Sequence, residues 1–219
     1  MDQVIRKITV GKDYKNDAMH YSVGQEVYGG HTIVNVMVKP KTSRSSAKKE
    51  IDGKELLLNT DVQNHNYTSR LGVVTALPIA TTTDIKVGDE VILHHNVFRR
   101  FRDVRGDEKN SKSYYSEDLF FAQPDQIYAY KHNLEWQCVD GFCFIKPIKN
   151  KDKFSLEPEE PLKGIVKYSP NEEYKNNLVG FKPNSEYEFN IEGERLYRVP
   201  LHRITIKYEY QGDEEEYNP

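Results

Sequence analysis

Side chains capable of chemistry are few in this sequence, and their spacing matches no familiar catalytic pattern. His94 and His95 are adjacent and follow the apolar run Val91-Ile92-Leu93. That run reads as a strand. Successive residues of a strand point to opposite faces, so the two imidazoles are not expected to share a metal ion. Cys138 and Cys143 flank Val139-Asp140-Gly141-Phe142. An Asp-Gly hairpin turn there would set the thiols directly opposite each other. This is not the C-x-x-C spacing of zinc or redox sites, and in a reducing cytosol the pair is expected to stay as thiols. Phe98-Arg99-Arg100-Phe101-Arg102-Asp103-Val104-Arg105 is the one basic and aromatic cluster. Such a mixture can hold single-stranded nucleic acid by charge and stacking. Here Asp103, Asp107 and Glu108 offset the charge, and a solvated loop is the expectation. There is no glycine-rich phosphate loop, G-x-S-x-G elbow or H-E-x-x-H helix. No carboxylate pair can be set at catalytic distance from sequence. The expectation is therefore a chain with no catalytic residues, no metal and no cofactor, that is, not an enzyme.

Composition narrows the classes further. Of 219 residues, 37% are hydrophobic and 30% charged, enough for a core and a well-solvated surface. Lys and Arg number 31 against 34 Asp and Glu, a net charge of -3, without the basic excess of a dedicated nucleic-acid binder. No run of about 18 apolar residues would cross a membrane as a helix. The segment Met1-Asp2-Gln3-Val4-Ile5-Arg6-Lys7 lacks the apolar stretch of a secretory signal, so a cytoplasmic location is expected.

The elements that must position these residues read as strands. The 15 Tyr and 9 Phe lie among short Val, Ile and Thr runs broken by turn residues. Val4 to Val10 stops at Gly11, Ile33 to Val38 stops at Lys39-Pro40, and Val91-Ile92-Leu93 follows the turn Val87-Gly88-Asp89. Ile204 to Tyr210 alternates, with Thr205, Lys207 and Glu209 facing water and the apolar set facing a core. No long stretch has helical period and caps, so the class is all-β.

An internal repeat organises the chain. Val36-Met37-Val38-Lys39-Pro40 resembles Cys143-Phe144-Ile145-Lys146-Pro147, 107 positions on (39 to 146). The strand from Gly72 to Pro78 resembles Gly164 to Pro170, 92 positions on, and Val87-Gly88 resembles Val179-Gly180 at the same distance (72 to 164, 87 to 179). Glu117 to Phe120 with Ile127 resembles Glu194 to Tyr197 with Ile204, 77 positions on (127 to 204). The blocks keep their order and the offset shrinks in steps of 15, as expected of a duplicated barrel with loop deletions. Residues 1–30 then form an N-terminal extension, expected to be a β-hairpin around Gly24 or Gly29-Gly30. Residues 31–132 form a first barrel, 133–210 a trimmed second barrel, and 211–219 an acidic tail, expected to be frayed. The first copy carries extra segments within 41–69 and 97–116.

These blocks resemble the co-chaperonin (GroES) family. Val36 to Pro40 is similar to its opening strand, Arg70 to Leu77 to the strand after its mobile loop, and Asp84-Ile85-Lys86-Val87-Gly88-Asp89-Glu90-Val91-Ile92-Leu93 to its most recognisable segment. Gln126 to Tyr130 is similar to its closing strand. The short stretch from Leu77 to Asp84, the 97–116 insertion and the tandem domain depart from the bacterial pattern and resemble bacteriophage members. The resemblance implies two tandem GroES-like β-barrels. It implies a homo-oligomeric ring, with seven chains favoured, that caps a chaperonin of the GroEL type in an ATP-dependent way in the cytoplasm of a bacterial host.

The 29 residues 41–69 form a long connection, and loops beyond about 12–15 residues are usually functional or disordered. Lys41 to Glu50 has a disordered composition, and Asp52-Gly53 is a turn signal. Leu56-Leu57-Leu58 follows. The resemblance implies that this tripeptide, with Gly53 in its loop, binds the chaperonin. Each leucine would gain about 1.5–3 kcal/mol on burial. Ordering the loop costs about 1–2 kcal/mol per residue, so one loop binds weakly and a ring gains by avidity. The other reading is a short buried strand of the barrel, in a phage structural or adaptor protein with no chaperonin partner. The second copy has only 16 residues between Pro147 and Gly164 and no tripeptide, and is not expected to make this contact.

Overall fold

The computed structural model describes residues 27–45, 48–51, 54–57, 67–152, 154–209, 212 and 214–218. The expected strand Val4 to Val10 and the turn at Gly24 lie outside them. The chain divides into two compact units, 1–134 and 135–219. Both are built from antiparallel strands, and among the described residues helix is confined to short 3-10 turns.

In the first unit, β1 (Val27–Tyr28) and β2 (His31–Thr32) form a hairpin. It turns on Gly29 and Gly30, at φ +57° and +88°, where a side chain would be strained. β3 (Val36–Pro40) opens the main sheet. β4 (Lys48–Ile51) and β5 (Lys54–Leu57) form a separate ribbon, and β6 (Leu71–Ala76) follows. β7 (Glu90–Leu93), β8 (Arg100–Arg102), β9 (Glu108–Asn110), β10 (Tyr114–Ser116), β11 (Leu119–Ala122) and β12 (Ile127–His132) complete the unit. The strands that this unit contributes to the main sheet run β10-β11-β3-β6-β7-β12. Residues of β6 alternate between half-buried and buried, with Gly72, Val74 and Ala76 inward. Gly72 and Val74 lie beside Val38, Val91, Leu93 and Phe98, all at most 1% exposed, while Ala76 packs with Val27, Met37 and Phe121. Phe98 and Phe120 pack edge to face at 5.0 Å.

The turn before β7 has a specific chemistry. Gly88 sits at φ +94°. The buried Asp89 carboxylate accepts the Lys86 backbone N–H at 2.8 Å and lies 2.9 Å from His132 Nδ1. Gly88 N–H reaches Val74 O at 2.9 Å, and Val74 N–H reaches Asp89 O at 2.9 Å. Turn and neighbouring strand are thereby locked to each other.

The second unit contains β13 (Glu135–Cys138), β14 (Phe142–Lys149), β15 (Glu159–Tyr168), β16 (Leu178–Phe181), β17 (Tyr187–Ile191), β18 (Glu194–Pro200) and β19 (Ile204–Lys207). Its sheet runs β17-β18-β14-β15-β16-β19, the same order as the first with β14 in the place of β3. The register repeats as well. Pro40 faces Gly72 as Pro147 faces Gly164, and a bulge follows Met37 as it follows Phe144. Phe120 faces Val38 as Tyr197 faces Ile145. Offsets of 107, 92 and 77 therefore join hydrogen-bonded equivalents (38 to 145, 72 to 164, 120 to 197).

One block of the repeat needs correction. Gly72 faces Val91 and Gly164 faces Val179, so Val179 answers to Val91, 88 positions away (91 to 179), and not to Val87. The true counterpart of Gly88 is Asn176, at φ +60°, whose N–H reaches Val166 O at 2.8 Å. Asn tolerates this left-handed conformation better than most residues.

Other expectations are also corrected. Ile206, on the edge strand β19, is 50% exposed rather than in the core. The acidic tail is not frayed along 214–218. Ile148 and Glu216 form a bridge, Tyr217 N–H reaches Pro147 O at 2.8 Å, and Lys149 Nζ pairs with Glu215 at 2.6 Å. Among the described residues no pairing closes either sheet into a barrel.

Close approach of β15 to β14 makes a test. A Cβ on Gly164 would stand 2.4 Å from Lys146 O and 2.5 Å from Ile145 Cγ2, whereas on Gly72 its nearest neighbour is Leu93 Cδ1 at 3.0 Å. Backbone cannot yield as a leucine tip can. Gly164→Ala should cost about 3 kcal/mol or more and Gly72→Ala about 1 kcal/mol. Urea unfolding read by circular dichroism checks the order. Equal costs would contradict the register.

Candidate functional site

The connection from β3 to β6 begins as a zipped stem. Lys41 N–H reaches Leu71 O at 3.0 Å, Ser69 N–H reaches Arg44 O at 3.0 Å, and Ser45 and Thr68 form a bridge. Lys41 Nζ also pairs with Glu90 at 2.8 Å. Within this stretch of disordered composition, residues 41–45 continue the sheet's pairing, and 48–51 is a strand.

Arg44 fastens that stem to the unit. Its guanidinium lies 4.7 Å from the Phe120 ring centroid and 5.7 Å from that of Tyr114. Nη1 donates to Asn110 Oδ1 at 2.9 Å and Nη2 donates to Phe98 O at 3.2 Å. A planar cation with fixed donors suits a ring on one side and carbonyl acceptors at its edge. Phe98 and Asn110 belong to the 97–116 insertion. The insertion is therefore a platform for the loop base, a role that sequence reading missed because Arg44 sat in a stretch of disordered composition.

Beyond the stem, β4 and β5 pair in register, Lys49 with Leu56 and Lys48 with Leu57. Among the described residues this ribbon pairs with no strand of the main sheet. Two of the predicted site residues, Leu56 and Leu57, are therefore in β5. Gly53 and Leu58 lie outside the described residues.

The equivalent connection in the second unit is short. Asn150 N–H reaches Pro158 O at 3.0 Å, and an Asp152 carboxylate oxygen accepts the Phe154 N–H at 2.9 Å. Phe154 and Leu156 are 96% and 101% exposed. The second loop has no apolar tripeptide, as its sequence shows, but it displays two apolar side chains that the sequence reading did not single out. The signal was Phe154-Ser155-Leu156 itself, two apolar residues between polar neighbours; a search for three in a row passes over it.

The remaining chemistry candidates are placed differently from the reading of the sequence. β7 ends at Leu93, so His94 and His95 lie in a turn, and their rings stack at 4.2 Å rather than pointing apart. Among the described residues no three metal-ligating side chains gather. Cys138 and Cys143 are buried free thiols, but β13 and β14 share no ladder, so the pair are not cross-strand partners. Cys143 faces Val199 instead, and its thiol donates to Val199 O at 3.4 Å. Burial pushes the Cys143 thiol up to about 12, and burial, with Cys143 nearby, pushes Cys138 up further.

Two outcomes follow. Both thiols bind their protons more tightly in the folded chain, so the stability they contribute is complete below the ordinary thiol pKa of about 8.5. It is lost as pH climbs toward about 12. At pH 8 the folded protein should react with a disulfide reagent at least about a hundredfold more slowly than in guanidinium, and fast labelling of the native chain would contradict the burial. Arg44→Met should speed amide exchange at Ser69 by about tenfold or more, since a charge-assisted hydrogen bond contributes about 1.5–3 kcal/mol. Unchanged exchange at Ser69 would show that Arg44 does not hold the stem.

No family model matches this chain, and no curated protein matches it.

Proposed function

We propose that the chain is a co-chaperonin, which caps a GroEL-type chaperonin ring through Leu56-Leu57-Leu58 and closes a folding chamber. The observation that carries this reading is the β4–β5 ribbon, set on a pinned stem and, among the described residues, pairing with no strand of the main sheet. Support also comes from the turn at Gly88, since two of the segments on which the family resemblance rests are bonded directly to each other through Val74. In this reading the two sheets correspond to two tandem GroES-like domains. The chain performs no chemistry, and ATP is hydrolysed by the partner.

The paired ribbon changes the energetics. Leu56 and Leu57 are already in a ladder, so fewer residues need ordering on binding at about 1–2 kcal/mol each. Burial of three leucines, about 1.5–3 kcal/mol apiece, then leaves a net gain per loop, which a ring multiplies. Phe154 and Leu156 give the second unit an accessory apolar contact on the same partner.

The same ribbon favours a second reading, a phage structural or adaptor protein in which β4 or β5 pairs with a neighbouring subunit. Exposed strand edges invite such pairing. One variant separates the two. Leu57→Asp should abolish ATP-dependent co-sedimentation with chaperonin while native mass and circular dichroism stay unchanged. Unchanged co-sedimentation would sink the first reading, and a fall in native mass would favour the second.

A further inference from the structure

The insertion that distinguishes the first unit also builds a cavity. Between β7 and β10 the first unit has residues 94–113, while between β16 and β17 the second has only 182–186. The added residues form the β8–β9 hairpin, in which Arg100 is paired with Glu108 at 2.7 Å and an Asp103 carboxylate oxygen accepts the Arg105 and Asp107 N–H groups. The cavity between this insertion, the end of β11 and the 3-10 turn Pro124–Gln126 measures about 530 Å³. That lies in the usual range for small-molecule sites.

Its lining is one-sided in charge. Arg99 and Lys112 supply two cations, Asn96, Ser113 and Gln126 supply amide and hydroxyl groups, and Phe101 supplies a ring; no carboxylate lines it. Arg99 Nε is buried with no hydrogen-bond partner, and among the described residues its guanidinium has no ion pair. A buried guanidinium donor normally has an acceptor. Arg44 Nε, Arg195 Nε and Arg198 Nε share the condition of Arg99 Nε, but Arg44 Nη1 and Nη2 donate to Asn110 and Phe98 O.

We propose that this cavity binds a small polyhydroxy molecule bearing an oxyanion, either phosphate or carboxylate. Arg99 and Lys112 hold the oxyanion, and the Asn96, Ser113 and Gln126 side chains hydrogen-bond the hydroxyls. A guanidinium fork matches two oxygens of either group. The site does not depend on the chaperonin reading, because none of its residues belongs to the 41–69 connection.

Calorimetry on the full chain at constant ionic strength tests this, with ribose 5-phosphate, gluconate and uncharged ribose as probes. Saturable binding of ribose 5-phosphate assigns phosphate, of gluconate carboxylate, and ribose should not bind. Arg99→Met should weaken the bound probe by about tenfold or more, and Arg105→Met, at the exposed hairpin tip, should not. Should Arg99→Met fail to fold, Lys112→Met gives the same comparison. Absence of saturation by both anions up to about 10 mM, or equal losses for Arg99→Met and Arg105→Met, would overturn the proposal.

Discussion

In each sheet the strand after the first connection crosses the opening strand with a glycine facing a proline, and in the second unit the backbones there approach too closely for a side chain. Gly72 meets Pro40 in one unit and Gly164 meets Pro147 in the other. Proline offers no N–H to the ladder and glycine brings no side chain, so the strands can approach until Lys146 O stands where a Cβ would be. That crossing fixes where the chain leaves the sheet. In the first unit it leaves into the Arg44 stem and the β4–β5 ribbon. In the second it leaves into the short turn that displays Phe154 and Leu156.

Duplication with the same register lets differences between the units be read as additions. Phe120 and its counterpart Tyr197 are each covered by an arginine, but from different places. Arg44 comes from the stem of the long connection at 4.7 Å, and Arg195 comes from the ring's own strand at 5.3 Å. The first unit therefore uses a core ring to anchor a projecting loop, and the second uses the equivalent ring to complete its own surface, where Tyr197 donates to Glu159 at 2.5 Å. The 97–116 insertion belongs to the same logic. It supplies Asn110 and Phe98 O to the stem and Arg99 to the cavity beside it.

Strand identity and the repeat were readable where side-chain type repeats with the ladder, as in Val36 to Pro40 against Cys143 to Pro147. The repeat failed where backbone conformation, not residue type, is what persists. Gly88 and Asn176 share a left-handed turn and the same two hydrogen bonds, yet the eye matches Gly88 to Gly180, which lies inside a strand. Alternation placed Ile206 in a core because a single sequence does not say which strand is an edge. The acidic tail was read as frayed since its pairing to β14 depends on a partner strand far away in sequence. Of the candidate site, the connection and its leucines were legible from length and composition. The stem was not, because Arg44 acts through rings and carbonyls that only the fold brings to it.

Solvent exchange on the intact chain, with and without a GroEL-type chaperonin and ATP, tests the central claim most directly. The account predicts new protection of amides in 48–57, with a smaller effect near 154–156 and little change in the main sheets. Protection absent from 48–57 in a mixture where the chaperonin is active would contradict it.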